Sequence, residues 1–324
     1  MTTTSPISVP FPAAGGDRII PVPQDLRLDA AARLVCTGGR PDRAAGARFL
    51  QDAQRNAIPL DRFWAWVEPD GSIESAVLAV RSPGRTALLF ASRPVGFGRG
   101  EKIARTLQSA CRSLACEGVV IAQGLLEPGE RAERKVFAQA KFDVLAHLGY
   151  LHRPLSDSPR TERVVWPHGV SIETYAADNH DDFVRALDAS YEETLDCPAL
   201  TGIRCAEDIL AGHRATGQFD PALWTLLRVD ELPSGVLLLN PSQRLGTVEL
   251  VYIGLAKPAR GRGLGRLLLR HGLTQVSARP EQTMTLAVDE HNVPAIRLYY
   301  AAGFRRAFRR VALIRALTDL AAPD

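Results

Sequence analysis

The segment Arg260-Gly261-Arg262-Gly263-Leu264-Gly265 lies between two apolar stretches of different periodicity. Residues 247–255, before it, are mostly apolar and predict a buried strand, whereas residues 266–276, after it, carry leucines at helical spacing. A glycine-rich turn between a strand and a helix points unpaired backbone N–H groups and the positive end of the helix dipole at an anion. Because glycine has no Cβ, the backbone can approach that anion closely. The segment therefore predicts a phosphate-binding turn.

Two common phosphate-binding fingerprints do not fit this turn. A dinucleotide fingerprint counted from Gly261 needs a glycine at its sixth position, where Arg266 stands. A nucleotide P-loop needs Gly-Lys-Ser or Gly-Lys-Thr after the turn, and neither follows. The turn instead matches Arg-x-x-Gly-x-Gly through Arg260, Gly263 and Gly265. In this it resembles the pyrophosphate loop of the GCN5-related N-acetyltransferases, the GNAT superfamily.

The sequence after the turn extends this resemblance. Residues 284–288 predict another strand, and a helical pattern follows it. That pattern resembles the last helix of the acetyltransferase fold in the motif Asn292-x-x-Ala295-x-x-Leu298-Tyr299-x-x-x-Gly303-Phe304. Glycine is the usual residue just past a helix C-terminus, so the helix is expected to end here and a strand to continue to residue 314. The resemblance covers about residues 235–317.

Length and composition limit the remaining possibilities. A chain of 324 residues with 46% hydrophobic residues is long enough for two domains or one large one. The net charge of +3 is too small to indicate a nucleic-acid partner. No apolar run is long enough to span a membrane. Residues 1–16 lack the basic flank and apolar core of a secretory signal, and they predict a flexible leader.

Cysteine and histidine spacing favours neither a metal site nor a disulfide framework. The five cysteines form no Cys-x-x-Cys pair, and the seven histidines form no His-Glu-x-x-His motif. An odd cysteine number without an export signal is typical of a cytoplasmic protein. No serine nucleophile elbow is found, which disfavours a hydrolase.

The first half of the chain repeats the order of the second half. Strands are predicted at 62–67, 75–80 and 86–92, followed by Arg93-Pro94-Val95-Gly96-Phe97-Gly98, which again matches Arg-x-x-Gly-x-Gly. A helix at 101–116, a strand at 118–123 and a helix ending at Leu148-Gly149-Tyr150 complete the predicted repeat.

The predicted fold class is α/β, in the sense of α+β with a mixed sheet. Tandem GNAT-like domains are expected, each with a mostly antiparallel central sheet and helices on both faces. The layout is similar in outline to that of the mycothiol synthases, whose acceptor is not carried over. The predicted domains are a leader at 1–16, a degenerate GNAT-like domain at 17–153, a linker at 154–169 and a catalytic GNAT domain at 170–324.

The two halves differ at the positions best placed for chemistry. Counting four residues back from Gly303 gives Tyr299, whereas the same count from Gly149 gives Leu145. Pro94 stands where the second half has a glycine, and it removes one N–H donor. We interpret the first domain as degenerate, serving as structural support, as a wall of the substrate site or as a non-catalytic coenzyme site. Whether its loop at 93–98 binds coenzyme A stays open.

The resemblance implies transfer of an acetyl group from acetyl-coenzyme A to a primary amine by direct attack, without a metal. An alkyl ammonium with a pKa near ~10 must first lose a proton, and the sulfur must leave as a thiolate. Such a site needs a base, a donor at the carbonyl oxygen and an acid near the sulfur. A small-molecule acceptor is expected, with no nucleic-acid or membrane partner and with a monomeric or homodimeric chain. The alternatives are acetylation of a protein lysine or N-terminus, and a non-catalytic acyl-coenzyme A sensor.

Tyr299 and Glu249 are the candidate catalytic residues. The register of the last helix implies that Tyr299 is the acid at the sulfur; the alternative is that it only packs. Glu249 is the candidate base, because a lone carboxylate in an apolar strand is costly unless it faces a cleft or is paired. Its alternatives are a solvated residue at the start of the strand and a partner of an arginine.

The resemblance also assigns residues to the coenzyme and the acceptor. The backbone at the end of the strand would bind the acetyl group and the pantetheine arm, and the turn amides would bind the phosphates. Asn292 would either contact the coenzyme or serve as the N-cap of the last helix. The predicted coenzyme residues are Leu255, Ala256, Arg260, Gly261, Arg262, Gly263, Leu264, Gly265, Asn292 and Tyr299. The predicted acceptor residues are Tyr191, Glu192, Asp196 and Tyr252.

Overall fold

Secondary-structure elements occur twice in the same order: strand, two helices, three strands, helix, strand, helix, strand. The computed structural model describes residues 19–157, 163–242 and 245–320, so the predicted leader and part of the predicted linker lie outside the described residues. The first series is β1 (Ile19–Pro21), α1 (Arg27–Leu34), α2 (Arg43–Arg55), β2 (Phe63–Val67), β3 (Ile73–Ser82), β4 (Thr86–Ala91), α3 (Arg99–Cys116), β5 (Ile121–Leu126), α4 (Arg131–Gln139) and β6 (Asp143–Pro154).

The second series repeats this order and confirms the tandem arrangement. It is β7 (Val170–Thr174), α5 (His180–Tyr191), α6 (Ala206–Arg214), β8 (Trp224–Val229), β9 (Leu232–Ser242), β10 (Thr247–Leu255), α7 (Leu264–Val276), β11 (Thr283–Asp289), α8 (Val293–Ala301) and β12 (Arg305–Ala316). None of the helices that the structure describes is long and apolar enough to cross a lipid bilayer.

One element of the predicted repeat is wrong. Leu148, Gly149 and Tyr150 do not end a helix but lie in the middle of strand β6. The glycine-aromatic pair there imitates the Gly303-Phe304 helix end, which explains the misassignment.

The true counterpart of the helix end at Gly303 is Lys141, after α4. Both residues have positive φ, 66° at Lys141 and 88° at Gly303, and each is followed by a phenylalanine. Counting four residues back from Lys141 gives Phe137 in place of Leu145. The first repeat therefore has a phenylalanine, without a hydroxyl, where the second has Tyr299.

The chain divides into two units by packing. The first comprises residues up to Val80 with Leu89–Ser113 and Lys135–Lys141, and the second comprises Arg81–Leu88, Leu114–Arg134 and the chain from Phe142 onward. In the first unit, β1, β2 and β3 pair antiparallel over an apolar core. Helices α1 and α2 cross closely there, because a Cβ on Gly46 would lie only 2.6 Å from the backbone nitrogen of Ala32.

The second unit contains a mixed sheet that is mostly antiparallel. Its strand order runs β5-β12-β6-β11-β10-β9-β8-β7, and residues 86–88 of β4 pair with β5 in parallel. Strands β10 and β11 form the parallel pair at its centre. Apolar clusters cover both faces, one with residues of α7 and α8 and the other with residues of α5 and α6. This arrangement confirms the predicted fold class.

The two repeats exchange their last strands within this sheet. Strand β6 of the first repeat pairs with β11 of the second, and β12 of the second repeat pairs with β5 of the first. The two exchanged strands also pair with each other. Residues 143–154 therefore belong to the sheet that carries the second repeat, although they precede the predicted linker.

Candidate active site

Strands β10 and β11 separate after a short parallel contact, and a cleft opens between them. Their pairing runs from Thr247–Thr283 to Glu249–Thr285. The other edge of β10 stays paired with β9 as far as Leu255, with a bulge at Val251. A cavity of about 1210 Å³ lies in the cleft, lined on one side by residues 250–255 and on the other by Ala287 and Val288.

The glycine-rich turn forms one end of this cavity. Gly261 and Gly263 have φ of 75° and 77°, values that favour glycine, although a Cβ on either would meet no atom within 4 Å. Backbone conformation, rather than crowding, therefore requires these glycines. Among the described residues, no acceptor receives a hydrogen bond from the backbone N–H groups of 261–265. These groups are free to bind an anion at the N-terminus of α7, as the sequence predicts.

Three arginines give the cavity a positive charge. Arg262, Arg266 and Arg297 line it, and no acidic side chain of the described residues forms a salt bridge with any of them. The cavity is also larger than the roughly 300–1,000 Å³ usual for small-ligand pockets. Charge and size together fit a long ligand that carries phosphate at one end.

Arg260 differs from these arginines, because its guanidinium is occupied by backbone carbonyls. Nε donates to Leu255 O at 3.0 Å and Nη1 to Glu193 O at 3.2 Å. Nη2 donates to Ser190 O at 3.0 Å and to Glu192 O at 2.7 Å. Arg260, a predicted coenzyme residue, lines the cavity, but its side chain turns toward the end of α5.

The predicted backbone donors at the end of β10 also need correction. The Ala256 N–H donates to Ser234 O at 2.8 Å, so it is not free for an acyl group. Ala256 does not line the cavity, whereas Leu255 does. The unpaired strand edge lies earlier, within residues 250–255, where β10 has left β11.

Tyr299 lines the same cavity as the turn and the loop that follows α5. Its ring is buried and packs edge-on against Phe304, with ring centroids 5.7 Å apart. Burial raises the pKa of Tyr299 well above its ordinary value, and the nearby charge of Asp196 adds to this shift. The hydroxyl is therefore protonated at neutral pH and can act as a donor toward the cavity. The neighbouring Tyr300 is exposed.

Asp196 lies on the loop after α5 and also lines the cavity. Its Oδ1 accepts a hydrogen bond from the Asp289 N–H at 3.3 Å. No Lys, Arg or His of the described residues forms a salt bridge with it. Burial raises the pKa of Asp196 above the usual aspartate range. A cavity-facing carboxylate without a cationic partner is suited to meet a cation or to take up a proton.

The other predicted acceptor residues divide into two groups. Tyr252 lines the cavity, and its hydroxyl shares a 2.8 Å hydrogen bond with Ser190 Oγ. Burial raises the pKa of Tyr252 to about 12. Tyr191 and Glu192 do not line the cavity: Tyr191 stacks behind Tyr252 at 5.3 Å, and Glu192 is exposed.

Glu249, the predicted base, sits just before the segment of β10 that lines the cavity. It is half-buried, and burial raises the pKa of its carboxyl. Burial raises the pKa of Tyr150 on β6, and the charge of Glu249 adds to this shift, so the two side chains lie near each other. Its own side chain is not among those that line the cavity.

Asn292 fulfils one of its two predicted roles and is placed for the other. Its Oδ1 accepts from the Ala295 N–H at 3.2 Å, so it is the N-cap of α8. It also lines the cavity. Among the described residues, no group of three His, Cys, Asp or Glu side chains is placed to hold a metal ion.

Sequence reasoning missed two arginines of the cavity wall, Arg266 on α7 and Arg297 on α8. A signal for Arg266 was present, since a basic residue in the first turn of a helix opposes the helix dipole and calls for an anionic partner. We find no comparable signal for Arg297.

Comparison with known proteins places this site in a family. The model of the Acetyltransferase (GNAT) family matches residues 185–304, which contain the turn, the cleft and α8. A mycothiol acetyltransferase of Thermomonospora curvata is 32% identical over 241 residues, covering 74% of this chain and 72% of that protein.

Two solved structures share the fold. A GCN5-related N-acetyltransferase from Sphaerobacter thermophilus aligns with a TM-score of 0.59 at 20% identity, over 93% of this chain and 96% of that one. A tandem GNAT protein from the clavulanic acid biosynthesis pathway aligns with a TM-score of 0.51 at 17% identity, over 95% and 99%. The chain belongs to the acetyltransferase (GNAT) family and is an acyl-CoA-dependent N-acetyltransferase.

Proposed function

We propose that this protein transfers the acetyl group of acetyl-coenzyme A to a primary amine of a small molecule, in the cavity of the second repeat. One observation carries the proposal: a single cavity is lined both by the turn with its free amides and three arginines and by Tyr299 and Asp196. The turn and the arginines fit phosphate, and Tyr299 and Asp196 offer a proton donor and a carboxylate. A thioester held along the cavity would meet both.

The coenzyme would be held mainly by backbone groups. The N–H groups of 261–265 would bind the pyrophosphate, with Arg262, Arg266 and Arg297 neutralising its charge. The unpaired edge of β10 within residues 250–255 offers peptide groups to the pantetheine arm and to the acyl oxygen. A preorganised N–H at that oxygen stabilises the charge that develops during attack.

Tyr299 would protonate the departing sulfur. The neutral amine nitrogen attacks the carbonyl carbon, the C–S bond breaks, and the Tyr299 O–H gives its proton to the thiolate. The tyrosinate then takes the proton that the nitrogen loses on forming the amide. Because its pKa is raised, a buried tyrosinate is a strong base and recovers this proton readily. The products are an amide, a thiol and the one proton that the ammonium gave up before attack.

Two carboxylates are candidates to accept that first proton. Glu249 is the base that the strand pattern indicates, and it lies next to the cleft. Asp196 lines the cavity itself and has no cationic partner among the described residues. Burial raises the pKa of both carboxyls, which moves each toward the value useful for a base at neutral pH. Asp196 could instead hold a second cationic group of the acceptor.

Two features support catalysis on a small molecule by the second repeat. The chain is similar to mycothiol acetyltransferases, whose name describes a small-molecule reaction. In the first repeat, Phe137 stands where the second has Tyr299, so that repeat lacks the proposed acid. We therefore propose that residues 17–153 form a degenerate domain and residues 170–324 the catalytic one.

Calorimetric titration with acetyl-coenzyme A tests this proposal. We expect one site per chain, lost in Gly263→Glu and kept in the matched variant Gly96→Glu, which changes the corresponding glycine of the first repeat. Both glycines have positive φ, 113° at Gly96 and 77° at Gly263, so both variants strain the backbone. Two sites per chain would give the first repeat a coenzyme role, and no binding would refute the proposal.

The acceptor is then sought with a panel of primary amines, including the acceptor of the mycothiol acetyltransferases, by following release of the coenzyme thiol. Turnover with a small amine supports the proposal. Coenzyme binding without turnover on any small amine or peptide would point to a sensor, and turnover confined to peptides to a protein acetyltransferase.

A further inference from the structure

We propose that Arg260 is a positioning residue that ties the acceptor side of the cavity to the coenzyme turn. Its guanidinium holds the loop after α5, residues 192–197, so that a ligand bound at the turn also orders this loop. The inference rests on the proposed function, because it takes the turn to be the phosphate site. It assigns to Arg260 a task other than contact with phosphate.

The hydrogen bonds of Arg260 carry this inference. Three of its four carbonyl acceptors belong to Ser190, Glu192 and Glu193, at the C-terminal end of α5, and the fourth is Leu255 O at the end of β10. These distances run from 2.7 to 3.2 Å. The last carbonyls of a helix lack partners within the helix and carry the negative end of its dipole, so a guanidinium suits them. A lysine could not span these acceptors, since it lacks the planar fork.

The loop is attached at three points. Lys257, in the same turn region, pairs with Glu193 at 2.5 Å, but both side chains are exposed and such pairs contribute little. At the far end of the loop, Asp196 accepts from the Asp289 N–H at 3.3 Å, a long hydrogen bond. The half-buried Arg260 is therefore the main attachment.

The attachment matters because the loop carries residues that line the cavity. Thr194, Leu195 and Asp196 line the cavity, as does the splayed segment of β10. A loop that moves would displace the Asp196 carboxylate from the place where the amine must arrive. Gly261 follows Arg260 directly, so a phosphate that fixes the turn amides also fixes the residue that holds the loop. Coenzyme binding should then raise the affinity for the acceptor, and acceptor binding should raise the affinity for the coenzyme by the same factor.

Hydrogen exchange, measured in the presence and absence of acetyl-coenzyme A, tests the attachment and requires no known acceptor. In the wild type, we expect acetyl-coenzyme A to slow exchange in the peptide that spans 189–197. In Arg260→Ala, exchange there should rise about 10-fold or more without ligand, since hydrogen bonds to a charged group are lost, and acetyl-coenzyme A should no longer slow it. Calorimetry should show acetyl-coenzyme A affinity within about threefold of wild type.

Arg262→Ala is the matched control, because Arg262 lines the cavity but makes no hydrogen bond to the loop. It should weaken acetyl-coenzyme A binding and leave exchange of the loop unchanged. Arg260→Lys should restore only part of the ligand-induced protection. An Arg260→Ala variant that loses coenzyme affinity while the loop exchanges as in the wild type would overturn the inference. If even the wild type fails to bind acetyl-coenzyme A, the proposed function fails, whereas exchange without ligand still tests whether Arg260 holds the loop.

Discussion

Replacing Tyr299 with phenylalanine removes one oxygen atom from the centre of the proposed mechanism. The ring is buried against Phe304 and would keep its packing, and the hydroxyl donates no hydrogen bond to any described residue. Folding should therefore change little. General acid–base catalysis typically contributes about 10²–10⁴ in rate, so kcat should fall by that factor, or about 3–5 kcal/mol of barrier. Acetyl-coenzyme A affinity should not change.

The assay follows release of the coenzyme thiol at saturating acetyl-coenzyme A and the best amine of the panel, with calorimetry for coenzyme affinity. Tyr300→Phe is the matched control, since this neighbouring ring is exposed and its hydroxyl should not matter. The raised pKa of Tyr299 also predicts that the acid stays protonated, and the rate sustained, up to pH values above the ordinary tyrosine range. A Tyr299→Phe enzyme with kcat within about threefold of wild type would refute the assignment, because an acid in the transition state cannot be dispensable.

Two further predictions concern the base and the packing of the first unit. Both candidate carboxyls have a raised pKa, so activity should fall as the pH drops through the pKa of the base. The acidic limb of the kcat/KM profile should vanish in Asp196→Asn if Asp196 is the base, and in Glu249→Gln if Glu249 is the base. An acidic limb that survives in both variants would exclude both residues. Gly46→Ala should destabilise the fold by about 1–2 kcal/mol in urea unfolding, because the clash with Ala32 outweighs the gain in helix propensity. The matched variant Gly38→Ala, whose Cβ would meet no atom within 4 Å, should have little effect, and equal stability of the two variants would contradict the close helix crossing.

Local pattern was sufficient for the elements that build the glycine-rich turn and its flanks. Strand β10 spans the predicted residues 247–255, and α7 begins at Leu264, two residues before its predicted start. The turn between them has the positive φ angles that its glycines indicate. These features depend on neighbours in sequence, which is why periodicity and glycine placement predicted them.

Side-chain direction and long-range pairing could not be predicted from the sequence. The motif that contains Arg260 indicates a backbone suited to an anion, but it cannot say that the guanidinium folds back onto α5. Asp196 could be named only as one of several acidic residues, because its hydrogen-bond partner, the Asp289 N–H, lies 93 residues away along the chain. The misplaced helix end at Gly149 has the same origin, since a Gly-aromatic pair in a strand looks like a helix end until its partners are known.

The exchange of strands explains why a repeat without the proposed acid is still part of the machinery. Strand β11 forms one wall of the cleft. On one edge it pairs with β10 for only three residues, whereas on the other it pairs with β6 over its whole length, Thr283 to Asp289. The strand that leaves β10 to open the cavity is therefore held by a strand of the first repeat. A splayed strand without that second partner would expose an unpaired edge and lose its position. Of the three roles open to the first repeat, structural support of the cleft is the one that this pairing favours, and it requires neither Tyr299 nor a working coenzyme loop in that repeat.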